Sequence, residues 1–521
     1  MMKRYDNNGM EKIRTRFAPS PTGPQHIGGI RTALYNYLIA KQSGGDFILR
    51  IEDTDSSRYV PESEEYILES LKWTGIKPTK GITIDSSGNW KIDEEYKQSN
   101  RKEIYRGYIK KLVDSGHAYY AFDRPEFLDE LREMAEKRGD KFSYGPKTRM
   151  ALRNSLSMTP EEVEKNLKES TSWVIRFKLP DEDQEIEIYD QIRGKIKVHT
   201  STLDDKVLWK RVDELPTYHL ANVVDDHLME ISDVIRGEEW LPSLPLHVLL
   251  YRAFGWDTPR FAHLPLLLKP DGMGQGKLSK RDGNIGGFPV FPISWKSKNI
   301  NVWGYREAGY FPEAFVNFLA YLGWNPGNNE EIKSMEELIR DFSLHRCQKA
   351  GSKFNPAKTR WYNREYLRMK TPKELLDILR PMIICSGNYN MTNGQALKII
   401  EFLKDRLEFP ADIFKQGQVF FQESPGIKIK DWNDLEPFIP RTLEFGDYLL
   451  HLGDWNNLKE DVEIFVSHLP GLWKEGVILM NTLRMIISGN PKGPDLIQTL
   501  QILGSKSLQL RINKFKENYG Y

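Results

Sequence analysis

The apolar positions of this chain change period several times, and each change predicts an element. An apolar run from Lys12 to Ala18 predicts a first strand. From Ile30 the apolar positions are Ile30, Ala33, Leu34, Tyr37 and Leu38, the spacing of one buried helical face, and Ser43-Gly44-Gly45 predicts its end. FILRI, Phe47 to Ile51, predicts a second strand, followed by EDTD. Strand, Gly-rich turn, helix and strand make a βαβ unit, which implies a parallel sheet covered by helices. Between about Arg101 and Leu220 the texture changes. Helical stretches near 126–138 and 160–169 precede the β-like runs SWVIRFKL and EIEIYDQIRGKIKV, which predicts an inserted α+β module. The α/β texture returns with a strand from Ile231 to Ile235, a helix from about Pro242 to Phe254 and the apolar strand HLPLLL. Beyond about residue 361 the pattern is helical, as in PKELLDILRPMI and NGQALKIIEFLKDRLEF.

Composition narrows this picture. A chain of 521 residues is too long for one core, and 39% apolar with 28% charged residues is the balance of a folded globular protein. The net charge of +1 makes no global claim for nucleic acid, although one basic face would still suffice. Cys347 and Cys385 form neither a metal-binding spacing nor a disulfide framework, which suits a reducing cytoplasm. No apolar run approaches the ~20 residues of a membrane helix, and MMKRYDNNGMEK lacks a signal-peptide core. A soluble, cytoplasmic protein is expected.

Two segments carry candidate chemistry. RFAPSPTGPQHIGG, Arg16 to Gly29, joins the first strand to its helix. A Gly-rich turn entering a helix offers backbone N–H groups at the positive end of the helix dipole, a seat for phosphate. Its prolines stiffen the turn, Gly28 and Gly29 admit a ligand close to the backbone, and His26 can donate to a phosphate oxygen. A plain Pro/Gly turn with an exposed histidine fits the same spacing, and the pattern is neither GxGxxG nor a Walker loop. KLSKR, Lys277 to Arg281, places three cations and a hydroxyl between glycines, which suits a mobile lid over a polyphosphate. A solvated basic loop fits it equally. Together the two segments are far more specific than either alone. Asp225, Asp226 and His227 raise the alternative of a metal site.

PSPTGPQHIGG and KLSKR resemble the HIGH and KMSKS signatures of class I aminoacyl-tRNA synthetases. More closely, RFAPSPTG…HIGG, RIEDTD, PTYHLANVVDDHLM, VIRGEEW and FAHLPLLL…KLSKRDG are similar to bacterial glutamyl-tRNA synthetases. The likeness runs on through GYREAGYFPEAFVNFLAYLGWNP and the tail GPDLIQTLQILGSKSLQLRI. The resemblance implies an α/β multidomain protein with a Rossmann-type catalytic domain split into residues 1–100 and 223–265. It further implies an α+β acceptor-binding insertion at 101–222, a stem-contact domain with the lid at 266–361, and all-helical anticodon-binding domains at 362–521. The implied activity is ATP-dependent activation of L-glutamate to glutamyl-adenylate and transfer to the 3′-terminal adenosine of tRNA-Glu, releasing AMP and pyrophosphate. Mg²⁺ arrives with ATP. The family also suggests a monomer, with no DNA or membrane partner.

By the same resemblance His26, Lys277 and Lys280 are catalytic, and ATP binding extends to Pro19, Thr22, Gly28, Gly29, Leu278 and Ser279. The glutamate-binding positions match as Arg16, Ala18, Ser20, Glu52, Tyr218, Asn222 and Arg236. Glu52 and Ser20 hold the ammonium end, and the arginines with Tyr218 and Asn222 hold the carboxylates. Charge alone supports that set, because free glutamate carries two carboxylates and one ammonium. Arg16 ends strand one, Glu52 follows strand two and Arg236 ends the returning strand, so all three would meet at the carboxyl edge of the sheet, where such sheets bind ligands. No protein nucleophile is required.

Some details depart from the family. Where some relatives carry a zinc site, YYAFDRPEF has no cysteine, so no structural zinc is expected. Before PTYHLA the chain reads KRVDEL rather than the usual K-S-D-G, which leaves the placement of Lys210 and Arg211 open. Gly286 to Trp303 is a longer connection after the lid than is usual. Three rivals share parts of the pattern. Another HxGH-type nucleotidyl transferase has no use for the helical tail, and a glutaminyl-tRNA synthetase has a β-barrel tail instead. Against a non-catalytic RNA-binding paralogue stand the intact His26, Lys277 and Lys280. Whether tRNA-Gln is also glutamylated is not marked by any motif.

Overall fold

Arg14–Phe17 (β1) is buried at all four positions and pairs in parallel with Asp46–Leu49 (β2). The crossover is the helix Ile27–Gln42 (α1), which buries Ile30, Ala33, Leu34, Tyr37 and Leu38 as their spacing predicts. It starts at Ile27 rather than Ile30 because His26 caps it. Returning to the sheet, the chain passes tightly against the start of β1. A Cβ on Gly45 would lie 1.9 Å from the Ile13 carbonyl oxygen, so only glycine fits there. The computed structural model describes residues 11–170, 172–296, 301–388, 390–422, 433–469, 472–490 and 492–521.

Ser63–Trp73 (α2) follows, then a short antiparallel hairpin of Ile82–Ile84 (β3) and Trp90–Ile92 (β4). After Lys102–Asp114 (α3) come Ala118–Ala121 (β5), Pro125–Lys137 (α4), Pro160–Glu169 (α5) and Val174–Phe177 (β6). Glu185–Asp190 (β7), Gly194–His199 (β8), Val207–Lys210 (β9) and Leu215–Pro216 (β10) complete this stretch. Its two β-rich runs go to different sheets. SWVIRFKL supplies β6 to an antiparallel sheet in the order β10-β9-β6-β5. EIEIYDQIRGKIKV forms the β7–β8 hairpin, which joins the parallel strands that come next.

Tyr218–Leu228 (α6) leads to Asp233–Gly237 (β11), Leu244–Ala253 (α7) and Arg260–Leu264 (β12). β11 and β12 pair in parallel, and β7 meets β12 where Asp190 faces Phe261. β1 is stitched to the approach of β11. The Arg14 N–H donates to Ser232 Oγ (2.8 Å), and the Ser232 N–H donates to the Arg14 carbonyl (3.0 Å). One continuous core runs under both sheets. Ile109 of α3, Ile175 and Phe177 of β6, Trp209 of β9, Val223 of α6, Leu249 of α7 and Phe261 of β12 all pack into it. Each such side chain contributes about 1.5–3 kcal/mol by leaving water, so the inserted strands and the parallel strands stabilise one another.

Leu267–Leu268 (β13) precedes the KLSKR loop, and Asp282–Gly286 (α8) follows it. Of the long connection after it, residues 297–300 lie outside the described residues. Ile293 and Trp295 pack against Tyr66 of α2, whose hydroxyl donates to the Ile293 carbonyl (2.7 Å).

The chain divides into two compact units, Met1–Ala308 with Pro312–Thr359, and Gly309–Phe311 with Arg360–Tyr521. The second unit is helical. Its helices Pro372–Cys385 and Asn393–Leu403 each open with a capping box, Thr371 with Glu374 and Thr392 with Gln395. Helices Ile439–Leu450, Leu472–Ser488 and Leu496–Tyr519 enclose a core that includes Leu443, Leu449, Leu483, Leu508 and Ile512. No helix among the described residues is long and apolar enough to cross a membrane.

Candidate active site

The carboxyl ends of β1, β2 and β11 open onto one cavity of about 220 Å³. Arg16 leaves the end of β1 into it, and Arg236 lies at the end of β11. Glu52 follows β2 and is tied to the Pro/Gly turn, its N–H donating to the Pro19 carbonyl (3.1 Å). Arg16, Ala18, Ser20, Glu52, Tyr218, Asn222 and Arg236 all line the cavity, together with Pro19, Gly28 and Gly29. The seven residues matched to glutamate binding therefore converge in space. Glu239 and Trp240 line it as well.

The charged groups are mostly bound to one another. Asp226 sits behind the pocket at 1% exposure, with Arg16 Nε at 3.1 Å, Arg16 Nη2 at 3.3 Å and Arg50 Nη1 at 2.7 Å. Burial alone would raise the Asp226 carboxyl pKa, but Arg16 and Arg50 outweigh burial and hold it below its usual value. Arg50, fully buried, also donates to Glu52 Oε1 at 3.0 Å. Burial pushes Glu52 above the ordinary carboxylate range against the pull of Arg50 and Arg16. Asn222, in the amide orientation its neighbours require, donates to Asp226 (3.2 Å) and accepts from Arg50 (3.1 Å). The result is a fixed alternation of charge, with Arg16 held at the cavity by a carboxylate on its far side.

Arg236 is held differently. Its Nη1 donates to the Tyr218 hydroxyl (2.9 Å), its Nη2 reaches the Trp240 carbonyl (3.4 Å), and its Nε donates to His263 Nε2 (3.0 Å). Tyr218 is stacked on Trp240 at 4.3 Å between ring centroids. His247 lies behind, 3.5 Å from Arg236 Nη1 and 3.2 Å from His219. Burial lowers the His219 pKa to about 4, so the His219 ring behind Arg236 is neutral at physiological pH.

His26 stands at the entry to α1. Its Nδ1 accepts from the Gly28 N–H (3.2 Å), so it acts as the helix N-cap in place of the usual Ser, Thr, Asp or Asn. That bond makes Nδ1 the acceptor and leaves the hydrogen on Nε2, a buried donor without a partner among the described residues. Burial, assisted by Lys280 and Lys277, lowers the His26 pKa to about 3. The ring is a neutral donor at physiological pH.

The backbone N–H groups expected to seat phosphate are largely engaged. Ile27 donates to the Val290 carbonyl (3.0 Å), Gly28 to His26 Nδ1 and Gly29 to the His26 carbonyl (2.8 Å). What Gly28 and Gly29 contribute to the cavity is the absence of a side chain.

KLSKR is anchored at its centre. Leu278 is 1% exposed and donates its N–H to the Leu267 carbonyl (2.7 Å), while Ser279 donates both N–H (2.6 Å) and hydroxyl (2.8 Å) to Asp282. Leu278 thus holds the loop down and keeps its side chain away from any nucleotide. Lys277 and Lys280 remain on the surface. Lys277 pairs with Glu239 at the cavity mouth (3.1 Å), and partial burial lowers the Lys280 ammonium pKa. Thr22, also matched to ATP binding, is exposed, its N–H donating to the Ser20 carbonyl (2.9 Å).

Asp225, Asp226 and His227 do not converge. Asp225 takes Arg101 (2.8 Å), Tyr105 (2.7 Å) and Gln98 (2.9 Å), Asp226 takes Arg16 and Arg50, and His227 stacks on Trp256 at 3.6 Å. The two acids serve arginines, which removes the metal alternative for that triplet. Lys210 and Arg211 sit at the β9–β10 turn, paired with Asp213 and Glu214, and do not line the cavity. In the YYAFDRPEF segment, Asp123 accepts from the Tyr144 hydroxyl (2.9 Å) and the Arg153 N–H (3.0 Å).

Comparison with known proteins identifies this arrangement. Residues 12–361 match the model of "tRNA synthetases class I (E and Q), catalytic domain", and residues 374–516 match "Anticodon binding domain". The glutamate–tRNA ligase of Phocaeicola vulgatus is 48% identical over 516 residues, covering 97% of this chain and 99% of that protein. The glutamate–tRNA ligase of Porphyromonas gingivalis is 46% identical over 527 residues, covering 98% and 99%. The crystal structure of a glutamate tRNA ligase from Elizabethkingia meningosepticum in complex with its amino acid superposes with a TM-score of 0.90 at 46% identity, covering 97% of this chain and 99% of that one. With its class I catalytic domain, its anticodon-binding domain and full-length likeness to these enzymes, the chain belongs to the glutamate–tRNA ligase family of class I aminoacyl-tRNA synthetases.

Proposed function

We propose that this chain joins L-glutamate to tRNA-Glu in two steps inside the cavity, with the residues around it divided between two ligands. The observation that carries the proposal is the meeting of Arg16, Glu52 and Arg236 in one cavity with the turn that ends in His26. An α-carboxylate oxygen of glutamate attacks the α-phosphorus of ATP. The P–O bond to the β-phosphate breaks, pyrophosphate leaves, and glutamyl-adenylate remains. A ribose hydroxyl of the tRNA 3′-terminal adenosine then attacks the acyl carbon, the acyl–phosphate bond breaks, and AMP departs as the hydroxyl proton is lost.

Glu52 and Ser20 receive the ammonium group, and Arg16 and Arg236 with Tyr218 and Asn222 receive the carboxylates. Such groups act by fixing the attacking oxygen in line rather than by covalent chemistry. The His26 Nε2–H donates to a phosphate oxygen, and its neutrality suits it to donate without becoming a counter-ion. Lys277 leaves Glu239 for the departing pyrophosphate, joined by Lys280, so positive charge accumulates where negative charge develops. Pro19, Thr22, Gly28, Gly29 and the backbone at Leu278 and Ser279 border the nucleotide. Mg²⁺ enters on the triphosphate. No group of three or more His, Cys, Asp or Glu side chains among the described residues forms a separate seat for it.

The domain reading drawn from the sequence is kept as part of this proposal: acceptor end at 101–222, stem at 266–361 and anticodon at 362–521, in a cytoplasmic monomer. ATP–pyrophosphate exchange tests it. Exchange is expected with glutamate in the presence of tRNA; exchange supported by glutamine in its place would overturn the reading. Charging assays on purified tRNA-Glu and tRNA-Gln decide whether the second tRNA is also a substrate.

A further inference from the structure

Arg16 and Arg236 reach the same cavity with opposite kinds of support. Arg16 touches a carboxylate directly, at Asp226. Arg236 is backed by an imidazole, and the acid stands one residue further away. Arg236 and His263 are partners in the β11–β12 register, and His263 Nε2 accepts from Arg236 Nε at 3.0 Å. His263 Nδ1 lies 2.7 Å from Asp190 Oδ2, and both residues are fully buried at 0% exposure. Asp190 is itself fixed, its Oδ1 accepting from the N–H groups of Ile192 (2.9 Å) and Arg193 (2.8 Å) in the β7–β8 turn.

A guanidinium can only donate, so His263 Nε2 must be the acceptor. The ring hydrogen is then on Nδ1 and points at Asp190, which leaves His263 a neutral ring of defined tautomer. Burial lowers the His263 pKa, and the charge of Arg236 adds to this against the opposing pull of Asp190. A carboxylate placed directly against Arg236 would compete with a substrate carboxylate for the same positive charge. An imidazole in between fixes the guanidinium plane while leaving its charge available. A planar fork held in one orientation loses less rotamer freedom when it closes on a carboxylate.

We propose that His263 and Asp190 are positioning residues for glutamate recognition, fixing the guanidinium of Arg236 through a neutral imidazole so that its charge is kept for the substrate. The proposal rests on the reading of Arg236 as a glutamate-binding residue. It gives the β7–β8 hairpin a role at the active site, because its turn supplies Asp190.

Steady-state aminoacylation by the full-length enzyme tests this, with KM measured separately for glutamate, ATP and tRNA-Glu. His263→Ala is expected to raise the glutamate KM about 10- to 100-fold, the range for losing a group that orients a ligand-holding side chain. The KM values for ATP and tRNA should stay within about twofold, because neither ligand meets Arg236. His263→Gln offers Arg236 an acceptor oxygen and should recover most of the loss. Asp190→Asn keeps the shape but turns an amide N–H toward the imidazole, forcing the hydrogen onto Nε2 against the guanidinium. It should raise the glutamate KM about 10-fold. An unchanged glutamate KM in His263→Ala and Asp190→Asn would overturn the inference. So would a parallel rise in all three KM values with His263→Gln no better than alanine, the mark of a merely structural role. Wild-type enzyme that charges no tRNA with glutamate would refute the underlying reading of the site instead.

Discussion

The wall of the cavity and the KLSKR loop at its mouth are built on opposite plans. Along the strand-end wall the charges of Arg16, Asp226, Arg50 and Glu52 are already bound to one another within the protein. At the KLSKR loop and the start of α1 the lysines lie at the surface, Lys277 in an exposed pair with Glu239, and His26 presents a buried donor with no partner among the described residues. A small ligand that must be told apart from close analogues favours groups fixed before it arrives. A departing polyphosphate needs charges that can follow it. The comparison implies that mutations on the first side act on stability and glutamate affinity together, and mutations on the second act on the handling of ATP with little effect on stability.

The sharpest test removes the keystone of the buried side. Asp226→Asn leaves Arg16 and Arg50 buried without their shared counter-charge and should destabilise the first unit by about 3–5 kcal/mol in urea melts. A loss below about 1 kcal/mol would break the contrast between the two sides. On the other side, Lys280→Ala should lower kcat about 10²- to 10³-fold in single-turnover activation. Its unfolding midpoint should stay within about 0.5 kcal/mol of wild type. Unchanged activation would remove Lys280 from the catalytic set.

Protonation gives a smaller, graded effect. His26 and His219 have native pKa values of about 3 and about 4, below the ordinary 6.5. Between those values and 6.5 the unfolded chain binds more protons than the native one, so stability is full above about pH 6.5 and is lost as the pH falls. Each such histidine should cost up to about 1.4 kcal/mol per pH unit in that window, read as a falling denaturation midpoint from pH 7 to pH 5. Stability that rises on acidification would contradict the neutral assignment. The smallest change is expected from Glu239→Gln, which releases Lys277 from an exposed pair worth about 0.2–1 kcal/mol. The KM for ATP should fall by up to about fivefold, with the KM for glutamate unchanged.

Much of this was legible in the sequence, for reasons that differ by residue. The place of Arg16, Glu52 and Arg236 on one edge follows from period, because each stands at or just beyond a strand end and parallel strands end on one edge, while their assignment to glutamate rests on the family resemblance. Asp226 was visible only as part of an acidic cluster, because its partner Arg16 is 210 residues away and no local spacing signals such a pair. The alternation of EIEIYD marks a strand with one buried face, as its burial pattern shows, but alternation names a face and not a neighbouring strand. Its place beside β12, and with it Asp190, came only from the fold. The apolar spacing begins at Ile30 and carries no sign of a cap at His26, because histidine is an uncommon N-cap. The bond from the Gly28 N–H is what moves the helix start to Ile27.

The anchoring of KLSKR has a consequence for timing. With Leu278 buried and Ser279 tied to Asp282, the loop is pinned between its two lysines, and the Val290 carbonyl further along the chain holds the first N–H of α1. Closure over a triphosphate then needs no loop swing of the microsecond-to-millisecond kind, only rotation of the Lys277 and Lys280 side chains, which surface residues complete in picoseconds to nanoseconds. Relaxation dispersion at the amides of 277–282 should accordingly be flat.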